Sequence, residues 1–537
     1  KLCHSVENGR QIMEKIFSHT LSQNCDEDWD YIMSEQRLFL GHPFHPYPKA
    51  KMGMSAEDVE KYSPEFAKSF ALCWIAVSES LVVERVFDQD YKNWIEELFL
   101  HDFDEKRVEK LKSEGFRPFP MHPWQMKQLF SREFFRDCLE KGLIVKLGEG
   151  RDEWMATSSL RSLHPKVAPY SLKFSMDVKL TNSVRHLELK EAIRGGQISC
   201  ALKSDQMRPF MASRPNFSLL YEPAFMGIAD ETGEVLKESL VICRDRLKEV
   251  EKKYLLLASL VEESPLTGKS KLHQSIEKIA QKNDWSLEWV SRQWFHEFLR
   301  NVIKPFLDLA SQQGVLLGAH MQNLILQIDD EWPVGVVYKD CQGTGFSSMG
   351  HETFAKDFDF IQRDNGNILD EEETNKVFLY YLIVNSTFSV ISSLAHSRTE
   401  NELRYLTQLR NFLIGEVQDS PNDDSLYRFL LNSKHLYQKR NFYCCVNDFN
   451  ETTMNTPWTI YNRIENPITT QLRQPWVTAE KFHYSRYVPQ LGKNLILRSF
   501  DTERDMEKFY QWQHKEYVSQ FWELDKSFEE LKELIIQ

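Results

Sequence analysis

The sequence predicts an α+β chain built as several lobes, and three observations predict it. Residues 154–193 read as strand–turn–strand, with 171–176 and 178–181 alternating apolar and polar side chains at period two. Residues 287–313 form a long amphipathic stretch of helical spacing. Three short strands follow, at 315–320, 323–328 and 334–340, ahead of a mostly helical 353–440. Strand runs separated from helix runs are the α+β pattern.

The elements follow in order. Residues 1–38 are helical and polar. The run GHPFHPYPK at 41–49 is too rich in proline for a helix or a central strand and must be an ordered loop. Residues 54–147 mix a strand (70–77) with helices (93–111 and 124–141) around a second His-Pro turn, His122-Pro123-Trp124-Gln125. The helix at 287–313 is interrupted near Pro305 and stopped by Gly314. Asp329-Asp330-Glu331 is the turn between the last two short strands. Residues 466–493 read as a linker. After them come a strand (495–500), a helix from Asp501 to about Lys515, and a second helix beyond Phe521-Trp522-Glu523. Lys1-Leu2-Cys3-His4 is neither a signal peptide nor a Met start and reads as the edge of a fragment, as does the helical end at Gln537.

At 537 residues the chain has room for about three to four domains at roughly 150 residues each. A net charge of -13 argues against a nucleic-acid or anionic-membrane binder, but not against a local basic pocket. The nine cysteines include no C-x-x-C pair, which reads as reduced cytoplasmic thiols with no disulfide framework or zinc site. No apolar run approaches the ~18 residues of a membrane span.

Three clusters could carry chemistry. Ser159, Arg161 and Ser162 lie in TSSLRS, followed by Lys173, Thr181 and Arg185 at even strand offsets that would share a face if no bulge intervenes. Arg forks and a Lys point charge make a polyanion pocket; a solvated sheet face is the other reading. In the second cluster, His320, Gln322 and Asn323 precede Lys339-Asp340. An Asn at one strand start and an Asp at the next strand end can converge on one Mg²⁺, or simply form a polar hairpin. A kinase would also need a base five residues before Asn323, where Gly318 stands. The third cluster is His42, His45, Lys49 and Lys51, read as anion contacts or a stiff loop, since no third metal ligand lies nearby. Gly268-Lys269-Ser270 imitates a P-loop end, but Glu263 occupies the required Gly position. Without a P-loop, side chains must hold any phosphates.

In this order the clusters resemble the IucA/IucC family of siderophore synthetases. The matching runs are GHPFHPYPK (41–49), HPWQ (122–125), ATSSLRSL (156–163), KFSMDVKLTNSVR (173–185), AHMQN (319–323), VYKDCQGTGF (337–346), VNSTF (384–388) and NFYCCVNDFNETT (441–453). SLRSL, LTNSVR, KDCQG and the NDxNE run are most similar to the aerobactin-type branch. The resemblance implies a cupped-hand fold with the nucleotide between fingers and palm: 1–40 the remnant of a thumb, 41–290 fingers, 291–465 palm, 466–493 linker. Residues 494–537 resemble the start of an acyl-CoA N-acyltransferase.

The resemblance also implies a carbon–nitrogen ligase. ATP and Mg²⁺ would turn citrate into an acyl-adenylate, and an N-hydroxylated, N-acylated diamine or lysine, such as N6-acetyl-N6-hydroxylysine, would displace AMP. By position, Ser159, Arg161, Ser162 and Lys173 would hold the triphosphate, and Gln322 and Asn323 the nucleotide. Asp340 with Asn323 would hold Mg²⁺. Thr181, Arg185 and His320 would hold citrate, with Lys439 a looser match, and His45 and Lys49 would complete the wall. Arg161, Lys173, Arg185 and His320 are the expected catalytic set. Three positions depart from the family pattern: Gly318 where a carboxylate is frequent, Ser162 where Thr is common, and Lys339 where Arg is common. A phosphotransferase on Asn323/Asp340 and a non-catalytic nucleotide- or citrate-binding remnant are the rival readings. The amine, the reacting citrate carboxyl and the oligomeric state stay open, a homodimer being one expectation.

Overall fold

Pro305 interrupts the long amphipathic stretch for a reason built into its ring. It has no N–H to donate and crowds the preceding turn. The helix Leu287–Phe298 accordingly widens into a π turn over Leu299–Ile303 before continuing as Lys304–Gln313. Gly314 ends it at φ +66°, where an added Cβ would lie 2.2 Å from the Gly350 nitrogen. This computed structural model divides into two compact units, Lys1–Thr470 and Gln471–Gln537. It describes residues 2–470 except 21–27, 44, 181–182, 248–251, 266, 359–360, 362–366, 397–398, 419–422, 448 and 450–456. Beyond 470 it describes 484–488, 493–497, 500, 505–515, 518 and 526–536.

The larger unit has two main cores. The first lies under an eight-stranded, wholly antiparallel sheet. Its strand order is Val82–Val86, Ala224–Ile228, Val241–Asp245, Tyr170–Phe174, Ser162–Pro165, Ile144–Ala156, Ser69–Ser78, Phe116–Met121. Leu163, Leu172 and Cys243 face this core, where Trp74, Trp124 and Trp154 are buried. Helices Ala56–Tyr62, Pro123–Leu129 and Glu133–Glu140 cover it. With the period of two, the opposite face receives Ser162, Lys173 and Ile242, which pair directly across three strands.

The second core joins a four-stranded sheet to the C-terminal helices. Its order is Phe217–Leu219, Trp332–Tyr338, Leu324–Asp329, Lys253–Leu256, with only the first pair parallel. Trp294, Phe298, Phe306 and Tyr338 are fully buried in it. Its hairpin turns at Asp330 and Glu331, both left-handed with φ +45° and +69°, as a tight two-residue hairpin turn requires. The strand expected at 315–320 stops at Leu317, and Met321–Asn323 is a 3₁₀ turn.

The helical run Glu371–Ala395 is long and apolar enough to cross a membrane, contrary to the expectation from unbroken apolar length, yet 72% of its most apolar window is buried inside the protein. Asn385, Ser386 and Thr387 interrupt the apolar run in sequence and are buried within its π segment Tyr380–Thr387.

In the smaller unit, Tyr484–Val488 pairs antiparallel with Lys493–Leu497, and helices Met506–Gln513 and Phe528–Ile536 follow. The strand expected at 495–500 thus begins earlier and has its partner inside the expected linker, where Tyr484, Tyr487 and Val488 favour extended chain. Residues 498–499 and Phe521-Trp522-Glu523 lie outside the described residues.

Candidate functional site

The free face of the large sheet, the 3₁₀ turn at Met321–Asn323 and the loop 41–49 meet around one cavity of about 490 Å³. Ser159, Arg161, Ser162, Lys173 and Arg185 line one side; His320, Gln322, Asn323, Lys339 and Asp340 line the other; His42, His45, Lys49 and Lys439 complete it. Thr181 lies outside the described residues. Every other residue expected at the site is on this wall.

Lys173 and Arg185 do not reach it by the shared face that their spacing suggested. Lys173 belongs to the eight-stranded sheet, whereas Arg185 ends the strand Ser183–Arg185 in a three-stranded sheet with Met176–Leu180 and Lys51–Met52. The chain switches sheets at Ser175, and the register slips between Met176 and Lys179. Parity does not carry across such a switch. Arg161 ties the two sheets together, its Nη1 donating to the carbonyls of Arg185 (3.3 Å) and His186 (2.9 Å).

Across the cavity, Leu324 pairs with Tyr338, so Asn323 and Asp340 flank the same end of the hairpin. The Lys339 N–H donates to the Asn323 carbonyl at 3.0 Å. The Asn323 amide nitrogen donates to Gly318 O at 3.2 Å, which leaves its oxygen for another partner. Asp340 sits at φ +89°, left-handed for a residue with a side chain. Lys173 Nζ donates to Asp340 Oδ1 at 2.8 Å and to Gln342 Oε1 at 2.9 Å. Burial opposes charge on Asp340, but Lys173, Arg244 and Arg161 outweigh it and hold the carboxyl at about 2. Gly318 is confined by backbone: its N–H donates to Gly343 O at 2.9 Å, and an added Cβ would lie 2.8 Å from that oxygen.

The His320 loop is held from behind. Asn385 Oδ1 accepts the Met321 N–H at 3.1 Å, and Ser386 Oγ donates to Ala319 O at 2.6 Å. This gives VNSTF a structural task, the alignment of AHMQN. His320 Nδ1 accepts the Gln322 N–H at 3.1 Å, and its Nε2 lies 3.3 Å from His42 Nε2.

Several participants were not singled out from the sequence. Arg244 lies two residues beyond Ile242, the cross-strand partner of Lys173, and pairs with the buried Glu222, which is also 3.6 Å from Lys173 Nζ. A cation within the apolar strand VICRD was the available signal. Glu35 is fully buried, pairs with Lys339, and accepts the Ser158 N–H at 3.0 Å. Burial opposes its charge, but Lys339 keeps it ionised below the usual range. Lys49 differs from its expected part in an anion wall. Its ammonium is held by Glu65 at 2.8 Å and by Leu38 O at 2.6 Å. Lys51 also contacts Glu65, at 3.1 Å. His45 is packed between Tyr47 N–H at Nδ1 (3.3 Å) and Cys445 Sγ at Nε2 (2.9 Å). The P-loop mimic is a helix cap: Ser270 closes a capping box on Lys271–Asn283.

The charge balance decides what the cavity suits. Its acids are Glu35, Glu65 and Asp340, each paired with a cation, while Arg161, Arg185 and Lys439 add further positive charge and Arg244 is matched by Glu222 behind the wall. A chain of net charge -13 thus carries a cationic pocket fit for polyanions.

Residues 30–262 match the family described as IucA / IucC family, and residues 292–454 match that described as ferric iron reductase FhuF-like transporter. A Vibrio mimicus protein named N(2)-citryl-N(6)-acetyl-N(6)-hydroxylysine synthase is 33% identical over 474 residues, 87% of this chain and 79% of its own length. The Escherichia coli protein of that name is 31% identical over 479 residues, 87% and 82% of the two chains. ATP-bound aerobactin synthetase IucA from a hypervirulent pathotype of Klebsiella pneumoniae superposes with a TM-score of 0.80 at 27% identity, over 88% of this chain and 82% of that one.

Proposed function

Because the chain belongs to the IucA/IucC family of siderophore synthetases, we propose that it uses ATP to activate citrate as an acyl-adenylate. It then joins the citryl group to N6-acetyl-N6-hydroxylysine or a close analogue, with release of pyrophosphate and AMP. The observation that carries this reading is the cavity that sets Arg161, Lys173 and Arg185 opposite His320, Asn323 and Asp340. Relatives named for citryl-hydroxylysine synthesis and an ATP-bound relative of the same fold support it.

In this reading Ser159, Arg161, Ser162 and Lys173 bind the triphosphate, with Gln322 and Asn323 on the nucleotide. Arg185, His320 and Lys439 bind citrate, Thr181 joins them by its place in the motif, and His45 shapes the wall beside them. Adenylation divides one hard condensation into two easier steps. The residues serve chiefly to orient two polyanions and to stabilise charge on the phosphorus in a site arranged beforehand. Asn323 and Asp340 supply two hard oxygens, a donor set that suits Mg²⁺ completing its shell with phosphate and water. When bound, the ion would neutralise phosphate charge. The sequence resemblance of residues 494–537 to the start of an acyltransferase, read from motifs alone, would fit an amine that carries an acyl-hydroxamate. A cytoplasmic site would fit the scattered cysteines of the sequence, which include no C-x-x-C pair.

The test is incubation of the full chain with ATP, Mg²⁺ and citrate. Citrate-dependent pyrophosphate and AMP are expected, with a citryl hydroxamate product on addition of the amine. ADP instead of AMP would identify a phosphotransferase, and ATP binding without turnover would identify a non-catalytic remnant.

A further inference from the structure

The carboxylates on the cavity wall are already matched: Asp340 by Lys173, Glu35 by Lys339, Glu65 by Lys49 and Lys51. Ion-paired carboxylates are poor acceptors for a substrate proton. Amide formation nonetheless has to dispose of a proton from the attacking nitrogen, and the cavity lining carries three imidazoles, those of His42, His45 and His320, that could take it.

The ring geometry separates the three histidines. His45 is engaged at both nitrogens, by the Tyr47 N–H and by Cys445 Sγ. His320 Nδ1 accepts the Gln322 N–H, so the proton of its neutral ring sits on Nε2. That N–H is directed at His42 Nε2, 3.3 Å away. The basic lone pair of the couple is therefore on His42. Both rings are kept neutral. Burial, then His45, Lys439 and Arg185, push His42 down to about 4, and burial, then His42 and Lys439, push His320 well below its ordinary value.

Building on the citrate-ligase reading, we propose that His42 is the general base of the amide-forming step, uncovered when a citrate carboxylate takes the His320 Nε2–H in its place. The neutral amine nitrogen forms a C–N bond to the activated citryl carbon. The C–O bond to the AMP phosphate breaks, and its electron pair leaves on AMP. The nitrogen's surplus proton passes to His42 Nε2 and then to solvent. Citrate also brings negative charge beside Lys439 and Arg185, whose positive charge otherwise keeps a proton off His42, so the ring becomes more basic once the acyl donor is in place. The base is then exposed only when there is an acyl group to transfer.

The experiment compares two acceptors on His42→Gln in the full chain, with ATP, Mg²⁺ and citrate. N6-Acetyl-N6-hydroxylysine needs a base, whereas hydroxylamine, a weakly basic and strongly nucleophilic trap, depends on one far less. Condensation with the hydroxylysine is expected to fall by about 10²-fold or more, with a much smaller loss of hydroxylamine trapping. Equal losses with both acceptors would make His42 a binding residue, and condensation near the wild-type rate would leave it no catalytic part; either overturns the proposal. His42→Asn is the second variant should the glutamine form melt below the assay temperature. Failure of the underlying reading is a separate result, namely no citrate-dependent AMP from the unmutated chain.

Discussion

Lys173 Nζ donates to Asp340 Oδ1 at 2.8 Å, joining the free face of the large sheet to the hairpin of the small one across 167 residues of chain. Lys173 is 3% exposed and has Gln342 and Glu222 as further neighbours. Lys173→Ala should therefore remove the main counterion of Asp340 together with a charge proposed to contact phosphate. Citrate-dependent pyrophosphate release is expected to fall by about 10²-fold or more. A rate close to that of the unmutated chain would remove Lys173 from the phosphate site.

Arg161 and Arg185 are coupled twice: Arg161 Nη1 donates to the backbone of residues 185 and 186, and after burial the Arg161 charge also lowers the Arg185 guanidinium from its ordinary value. Arg161→Ala should lower adenylation by about 10²-fold and disturb both substrates. Arg185→Ala should raise the KM for citrate more than the KM for ATP. Steady-state kinetics with each substrate varied will check this, and the opposite ordering would show the two subsites exchanged.

Gly318 is fixed by the approach of Gly343, whose carbonyl oxygen would lie 2.8 Å from an added Cβ. Gly318→Ala must push this backbone apart. A loss of about 1–3 kcal/mol is expected from such overpacking, read from the urea midpoint. A higher KM for ATP should accompany it, because Asn323 donates to Gly318 O. Unchanged values in both assays would mean that the loop adapts without cost.

His122 caps the helix Pro123–Leu129 by accepting the Trp124 N–H at 3.1 Å, and burial alone pushes it from 6.5 down to about 3. The unfolded chain takes up a proton near 6.5 that the folded chain refuses. The stability it contributes is present above that value and is lost as pH falls toward 3. His122→Asn keeps a capping side chain and removes the titration. Between pH 7 and pH 4.5 the urea midpoint of the variant should fall less steeply than that of the unmutated chain. Equal slopes would mean that His122 titrates normally in the folded protein.

Local chemistry made much of this legible. Pro305 and Gly314 announced a break and an end to one helix, and the structure answers with a π turn and a left-handed glycine. Asp329-Asp330-Glu331 announced the hairpin that brings Asn323 near Asp340. Parity arguments failed where the chain changed sheets, at Ser175 between Lys173 and Arg185, because alternation holds only along one unbroken ladder.

The sequence by itself determined the main helix and strand stretches, the motif residues and the lack of a P-loop. Those depend on periodicity, ring constraints and side-chain charge, which are properties of short stretches. Only the tertiary structure decided which charges survive at the site. Lys49 is given to Glu65, Lys339 to Glu35, Arg244 to Glu222, and His42 is set against His320. Each of these pairings joins residues at least 16 positions apart in the chain, and buried charge must find its partner wherever packing places one.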